Sequence, residues 1–296
     1  MRKLAYLLIA VLIVGGGYGF YRYKKATSVL IALTPETIKA MQAATAAQNE
    51  AAFTVPAPQE RIQPRQSKEN NLYFGDLHVH TSLSFDSVLF GNRNTIDDAY
   101  AFARGEPLLT MAGERMQMSL PLDFVGITDH AETFGLMDVC LNQSGLTPKM
   151  QDFCAGFDNP SLGFFMKLRE MGAQRPPQVP DFICEMSEND CQAYALELGR
   201  PMWDLIRRKA EEHNDPGTFT AFAAYEYSPT LPQEGKHHRN VFFRNDKTSR
   251  YAYSAYDART APELWQMLEQ DCVGECEFLT IPHNLNKTWG LAYALQ

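Results

Sequence analysis

Histidine and acidic residues follow several short apolar segments of the chain, with the spacing of metal ligands. His78-Val79-His80 is an H-x-H pair at the end of one segment, and Asp129-His130 ends another. In an extended strand, residues i and i+2 point to the same side, so both imidazoles of an H-x-H pair can bind one metal ion. Nitrogen and oxygen ligands without cysteine favour Zn²⁺, Mn²⁺ or Fe²⁺, and the sequence does not choose among them.

Further acidic and histidine residues repeat this pattern along the chain. Glu226 ends an apolar segment, where a carboxylate can bridge two cations, and His283 ends a later one. Asp86 follows six residues after His80, close enough for the intervening loop to fold back. A single histidine beside a strand is more often a structural hydrogen-bonding residue than a ligand. The recurrence of these motifs favours a multinuclear metal site, whereas His213 is expected to be a solvated residue at the end of a helix.

The elements that position these residues alternate between strands and helices. Strands are predicted over residues 72–77, 122–128, 219–227, 240–244 and 278–281, and helices over residues 97–104, 200–213 and 261–270. This alternation predicts an α/β fold with a largely parallel sheet or barrel. The carboxyl ends of parallel strands build the functional site in such folds, and the histidines fall there.

A long segment, residues 133–190, lacks this alternation and is predicted to be an insertion that caps the site. It carries four of the six cysteines, which form three close pairs along the chain: Cys140 with Cys154, Cys184 with Cys191, and Cys272 with Cys276. Close pairs are typical of disulfides formed in an oxidising compartment, although six unrelated thiols remain the alternative. Because no pair has CxxC spacing, a thiolate zinc site is not expected.

The N-terminus predicts a membrane anchor. An uncharged apolar run over residues 4–20 is flanked by positive charge on both sides, which favours an uncleaved anchor over a cleaved secretory signal. We therefore expect residues 1–25 to span the membrane and residues 26–70 to form a stalk. The remaining domain, residues 71–296, is then expected to be periplasmic or extracellular.

Composition limits the partners. The formal net charge of the 296 residues is −8, with 45% hydrophobic and 21% charged residues, which is ordinary for a globular protein. An acidic chain without a basic stripe gains nothing from counterion release, so nucleic acid is not an expected partner. Small anionic substrates are not excluded, because bound cations can attract anions into a cleft.

Longer motifs resemble a known superfamily. Residues 75–86 (GDLHVHTSLSFD), followed by residues 127–130 (ITDH), resemble the polymerase-and-histidinol-phosphatase (PHP) superfamily. Residues 225–227 (YEY), 238–241 (HRNV) and 281–284 (IPHN) are similar to its DUF3604 branch, and the motifs occur in the family's order. The resemblance implies a distorted (β/α)₇ TIM-like barrel that holds two or three divalent cations at one rim.

The same resemblance implies a role for each matched residue. The implied ligands are His78 and His80 for the first metal, Glu226 as the bridge, His238 and His283 for the second metal, and Asp86 and His130 for the third. Asp129 is implied to lie behind these ligands, and His237 competes with His238 for its place. The superfamily's late D-x-H-like motif is missing after His283, so the barrel is expected to be incomplete and the chain truncated at its C-terminus.

The implied activity is metal-dependent hydrolysis of a small anionic ester, a phosphate or a sulfate. Asp129 or His130 is expected to transfer a proton to the leaving group. Arg239 and Asn284, which follow expected ligands, are expected to bind substrate oxygens. Two alternatives remain open: a metal- or ligand-binding protein without catalysis, and an inactive relative of the superfamily.

Overall fold

The structure is a computed structural model that describes residues 71–291, apart from residues 111–112, 143–145, 159–160, 188–189 and 232–234. Its strands are β1 (Gly75–Val79), β2 (Leu108–Leu109), β3 (Arg115–Met116), β4 (Phe124–Ile127), β5 (Thr220–Phe222), β6 (Ala224–Tyr227), β7 (Arg239–Phe243) and β8 (Phe278–Pro282). Its α-helices are α1 (Phe85–Leu89), α2 (Ile96–Ala103), α3 (Phe134–Asn142), α4 (Pro148–Asp158), α5 (Leu162–Ala173), α6 (Asp181–Cys184), α7 (Cys191–His213) and α8 (Ala261–Asp271). Two 3₁₀ helices, η1 (Ala131–Thr133) and η2 (Leu285–Lys287), complete the described elements.

The strands form three small sheets. β1, β4 and β5 form a parallel sheet in that order, and β6, β7 and β8 form an antiparallel one. β2 and β3 form a separate two-stranded ladder. The chain passes from the parallel sheet to the antiparallel sheet at Ala223, whose carbonyl accepts a hydrogen bond from the amide of Phe243.

The predicted barrel is wrong. No sheet in the described residues closes on itself, and only one of the two larger sheets is parallel. The residues predicted as one strand, 219–227, divide into β5 and β6, which pair with neighbours running in different directions. Residues 228–238, between β6 and β7, contain no described helix, so a short connection makes this pair antiparallel. Apolar periodicity predicts where a strand lies but not the direction of its partner.

The prediction of a membrane helix also needs correction. No helix in the part of the chain that the structure describes is long and apolar enough to cross a membrane. The longest of them, α7, carries charged residues along its length. The structure therefore offers no support for a membrane partner or for a periplasmic or extracellular location. The residues predicted as anchor, 1–25, and as stalk, 26–70, lie outside the described residues.

Helix α7 supports the sheets from behind. It begins at Cys191, nine residues before the predicted start, because the Asp190 side chain caps it by accepting hydrogen bonds from two backbone amides, those of Gln192 and Ala193. Pro201 therefore lies inside the helix instead of in its first turn. Trp203, fully buried, packs its ring edge-to-face on Tyr225 of β6, with ring centroids 5.4 Å apart.

Residues 133–190 are mostly helical, where the sequence predicted an irregular insertion. Helices α3 to α6 occupy this segment, and α3 packs along α7. The three predicted cysteine pairs are all disulfides, Cys140–Cys154, Cys184–Cys191 and Cys272–Cys276. The first joins α3 to α4, and the second joins α6 to the start of α7. Disulfides thus fix the helices that cover α7.

Candidate metal centre

The predicted metal ligands lie where five strands meet. His80 and His130 follow the carboxyl ends of the parallel strands β1 and β4, and His283 follows β8. Because β7 is antiparallel to β6 and β8, its amino end lies beside their carboxyl ends, and His238 directly precedes it. A parallel bridge places Glu226 beside His130. Antiparallel pairing therefore brings the same residues together that a parallel barrel was expected to assemble.

Glu226 is the centre of this cluster, and its side chain is only 1% exposed. Its Oε2 lies 3.1 Å from His78 Nε2, 3.0 Å from His80 Nε2 and 3.3 Å from His283 Nε2. Its Oε1 lies 2.6 Å from His238 Nδ1. A buried carboxylate is costly unless positive charge or hydrogen-bond donors surround it. Both oxygens of Glu226 therefore face several nitrogens at once, as expected of a bridging ligand.

Asp86 extends the cluster between His80 and His130. Its Oδ1 lies 3.2 Å from His80 Nδ1, and its Oδ2 lies 3.4 Å from His130 Nε2. Three groups have ligand atoms within 4.8 Å of one another: His78, His80 and Glu226; His80, Asp86 and His130; and His130, Glu226 and His238. Because His80, His130 and Glu226 each belong to two groups, the clusters that could bind a metal share ligands.

The donor set fits divalent cations. It contains imidazole nitrogens and carboxylate oxygens, which suit Zn²⁺, Mn²⁺ or Fe²⁺. Both ring nitrogens of His283 are buried, and neither has a hydrogen-bond partner among the described residues, although Nε2 lies 3.3 Å from Glu226 Oε2. Buried polar atoms are rarely left without a partner. A cation beside Glu226 would give the ring nitrogen of His283 a partner.

The pKa shifts of Glu226 and His80 show that positive charge is favoured beside the buried carboxylate. Burial alone would raise the pKa of Glu226, but His130 and the histidines bonded to it hold the pKa well below its usual range. Burial would lower the pKa of His80, but Asp86 and Glu226 outweigh burial and raise the pKa to about 10. Burial lowers the pKa of His238 to about 4. A cation and a proton therefore compete for the His80 nitrogens.

The cluster is open on one side. The side chain of His78 is 48% exposed and that of Asp86 is 38% exposed, whereas Glu226 is buried. Structural metal sites are closed by protein ligands, and catalytic sites keep an accessible position for water or substrate. The exposure of His78 and Asp86 gives this cluster an accessible side.

Asp129 holds the ligand loop and does not face the cluster. Its side chain is fully buried, its Oδ1 accepts a hydrogen bond from the Thr81 amide at 2.6 Å, and its Oδ2 accepts one from Thr81 Oγ1 at 2.7 Å. Burial raises the pKa of Asp129 to about 6. The predicted acidic residue behind the ligands is therefore placed as expected, but both of its oxygens are already used by Thr81.

Two serine side chains form hydrogen bonds with His80 and His130, and Glu132 accepts a hydrogen bond from the amide of one of these serines. Ser84 Oγ lies 3.0 Å from His80 Nδ1, and Ser228 Oγ lies 2.6 Å from His130 Nδ1 and 3.2 Å from Glu226 Oε1. Glu132 accepts hydrogen bonds from the amides of Ser228 and Ala255. Sequence analysis missed these residues, since serines are common in loops. The position of Ser84 one turn after His80 is the only signal that pointed to one of them.

The structure also separates His238 from its neighbours in sequence. His238 faces Glu226, as predicted, whereas His237 and Arg239 line a pocket together with Trp265. Arg239 was predicted to bind substrate at the cluster. It lies away from the cluster instead. Asn284 follows His283 at the start of η2 with a φ of 60°, a left-handed conformation that asparagine tolerates.

His213 lies outside the cluster, as predicted. Its Nε2 lies 2.7 Å from Asp97 Oδ1, and its ring stacks on Tyr100. It ends α7, where a histidine complements the negative end of the helix dipole. His213 is thus a matched control for any substitution of a cluster histidine.

Comparison with known families gives one match. The profile of the family described as "Protein of unknown function (DUF3604)" matches residues 67–296, which include every residue of the cluster. No curated protein and no solved structure matches the chain. The prediction that the chain is incomplete at its C-terminus is tested by neither comparison and stays a prediction. Since the match covers most of its length, the chain belongs to the DUF3604 family.

Proposed function

We propose that the cluster around Glu226 binds two or three divalent cations and that the protein is a metal-dependent hydrolase of small phosphate or sulfate esters. The observation that carries this proposal is one buried carboxylate, Glu226, in contact with four histidines. A neighbouring group that contains Asp86 shares His80 with it. The resemblance of residues 75–86 and 127–130 to the PHP superfamily supports the same activity.

In this proposal, His78, His80 and Glu226 would hold one cation, with His283 beside the same carboxylate oxygen, and His130, Glu226 and His238 would hold a second. His80, Asp86 and His130 would hold a third. Bound divalent cations supply an activated water nucleophile at neutral pH and neutralise negative charge that develops during ester hydrolysis. The open side, beside His78 and Asp86, is where the ester would enter.

The remaining residues of the site position these ligands. Asp129 keeps the loop after β1 in place through Thr81, so we assign it a positioning role instead of proton transfer. The Ser228 hydroxyl donates its proton to Glu226 Oε1. The Ser228 oxygen can then only accept a hydrogen bond from His130, so the proton of the neutral His130 ring lies on Nδ1. His130 Nε2 then faces Asp86, and these two side chains would help to hold the third cation.

The test is hydrolysis of 4-nitrophenyl phosphate and 4-nitrophenyl sulfate by the purified chain with Mn²⁺ or Zn²⁺. We expect His80→Ala to lose both bound metal and activity, because His80 belongs to two of the three ligand groups. His213→Ala, at a histidine outside the cluster, is expected to keep both. Chelation with EDTA should remove the activity of the wild-type chain, and readdition of the metal should restore it.

The outcomes separate the proposal from its alternative. Metal bound in the wild-type chain and lost in His80→Ala, without hydrolysis of either ester, would make the protein a metal-binding protein without this activity. Hydrolysis that survives in His80→Ala would contradict the assigned site. The exposed side of the cluster favours the hydrolase, since a non-catalytic site has no need for it.

A further inference from the structure

A second cleft lies on the other face of strand β7, away from the metal cluster. It has a volume of about 1100 Å³, at the upper end of the range of roughly 300–1,000 Å³ that is usual for small-molecule sites. His237, Arg239 and Trp265 form its wall, and Leu231, Leu285 and Leu291 contribute apolar surface. His238, which contacts Glu226, is absent from this wall. The cleft and the cluster are therefore separate sites.

Arg239 is a buried cation in the wall of this cleft. The residue is only 5% exposed, yet it forms no ion pair with an acidic residue in the described part of the chain. Its Nη1 donates a hydrogen bond to the Thr280 hydroxyl at 3.2 Å, and its guanidinium lies 5.0 Å from the centre of the Trp265 ring. Its Nε is buried without a hydrogen-bond partner among the described residues. Charged groups are almost never buried without a counter-charge.

Other positive features face the same cleft. The exposed side chains of Arg175 and Arg259 line it and form no ion pair within the described residues. Helix α8 begins there, with Thr260 as its N-cap, so the positive end of the helix dipole points the same way. No acidic residue is among the described residues that line the cleft, and the carboxylate of Glu263, in the first turn of α8, accepts a hydrogen bond from the Arg259 amide. Positive charge dominates this cleft in a chain whose net charge is −8.

We propose that this cleft is a second binding site, for a small anionic molecule with a flat aromatic or apolar body. Arg239 would bind the anionic group through its guanidinium, which has no acidic partner in the described residues, assisted by Arg259 at the cleft edge. The ring of Trp265, which is 39% exposed, and the neighbouring leucines would contact the flat part of the ligand. This assignment does not depend on the activity proposed for the metal cluster.

The probe that tests this site is 1-naphthalenesulfonate, which has an anionic group on a flat ring and no ester to hydrolyse. We expect saturable binding to the full chain by isothermal titration calorimetry, with the same affinity before and after treatment with EDTA. Arg239→Met, which keeps an unbranched apolar stem and removes the charge, is expected to weaken binding at least about tenfold. Arg259→Gln, at an exposed residue, is expected to weaken it about threefold.

The controls distinguish binding in this cleft from binding at the metal cluster and from binding that does not depend on charge. Arg244→Gln, just beyond β7 at an exposed arginine that pairs with Glu277, is expected to bind the probe like the wild type. The neutral 1-naphthalenemethanol is expected to bind at least about tenfold more weakly than the sulfonate. Binding lost on chelation would place the sulfonate on the metal cluster and overturn the proposal. Equal affinity for the neutral probe, or unchanged affinity in both Arg239→Met and Arg259→Gln, would overturn it as well.

Discussion

At the scale of single residues, one carboxylate decides the character of the site. Glu226 is expensive to bury as an anion, and a hydrophobic residue in β6 would pack there at lower cost. The residue instead draws in His78, His80, His238 and His283, which come from three separate segments of the chain. A structural role needs one partner for a buried carboxylate, whereas a role as a bridge between cations explains all four.

The sequence predicted these ligands because each lies in a motif of distinctive type and spacing. It missed Ser84 and Ser228, which form hydrogen bonds with His80 and His130, and Glu132, which accepts a hydrogen bond from the Ser228 amide. Serine and glutamate occur throughout the chain, so only the fold distinguishes these three from others. Arg239 was predicted to bind substrate beside the cluster, but it lines the other cleft, because neighbouring residues in an extended segment face opposite sides.

The bond between Thr81 and Asp129 leads to the first prediction. Thr81→Val removes the hydroxyl that donates to the buried Asp129 carboxylate and keeps the shape of the side chain. We expect the free energy of unfolding to fall by about 1.5–3 kcal/mol, as for other hydrogen bonds to a charged group. Urea denaturation measures it, with Thr218→Val, at an exposed threonine, as a control that should change little. A loss no larger than in this control would contradict the role of Thr81.

Asp257 gives a prediction about pH. Burial raises the pKa of this carboxyl from the usual 3.8 to about 6, so the folded protein holds its proton when the unfolded chain has lost it. The stabilisation by the protonated form is complete below about pH 4 and is lost as pH rises to about 6. Asp257→Asn keeps an oxygen for the two hydrogen bonds from Ser254. Urea unfolding at pH 4 and pH 7 should show it more stable than the wild type by about 2–3 kcal/mol at pH 7 only. Equal differences at both pH values would contradict this.

At the scale of elements, sequence patterns located most strands and helices but not how they pair. Apolar runs predicted β1, β4, β7 and β8 within a few residues. The direction of each strand depends on the connection and on long-range packing, and these are not encoded in a local period. The sheet boundary at Ala223 could not be predicted either. Residues 219–227 form one apolar run in the sequence, but its two halves belong to different sheets.

Helix α7 provides the prediction that belongs to this scale. Trp203 on its buried face contacts Tyr225 of β6, which precedes Glu226, and Phe243 at the carboxyl end of β7. Trp203→Leu is expected to lower the free energy of unfolding by about 2–4 kcal/mol, through lost contacts and a cavity. Trp289→Leu, at a tryptophan that is 65% exposed, is expected to change it by less than about 0.5 kcal/mol. Similar values for the two variants in urea denaturation would show that α7 does not support the sheets in this way.

At the scale of the whole molecule, a disulfide is expected to contribute more stability when it closes a longer loop, with a logarithmic dependence on loop length. Cys140–Cys154 closes a loop with a sequence separation of 14, and Cys272–Cys276 closes one of 4. Loop entropy predicts that Cys140→Ala/Cys154→Ala lowers the free energy of unfolding by about 3 kcal/mol and Cys272→Ala/Cys276→Ala by about 2 kcal/mol. Denaturation of the two double variants measures both values. The reverse order would contradict this entropic account.

The overall architecture was the least predictable part of the molecule. The α/β class followed from the alternation of elements, but the barrel did not, because three separate sheets satisfy the same pattern. The sequence predicted which residues lie around Glu226 better than it predicted the sheets that carry them. Metal binding requires particular residue types, which can be recognised in a sequence. A given sheet topology can be formed by many different sequences.

The central claim is that Glu226 organises a site for more than one cation, and elemental analysis of the purified chain tests it most directly. We expect two to three equivalents of Zn, Mn or Fe in the wild type and in Glu277→Gln, at an exposed glutamate that pairs with Arg244. Glu226→Gln keeps the shape of the side chain but loses the charge that bridges the cations, and it should bind less than about one equivalent. A folded wild-type chain without metal, or full metal content in Glu226→Gln, would contradict the account.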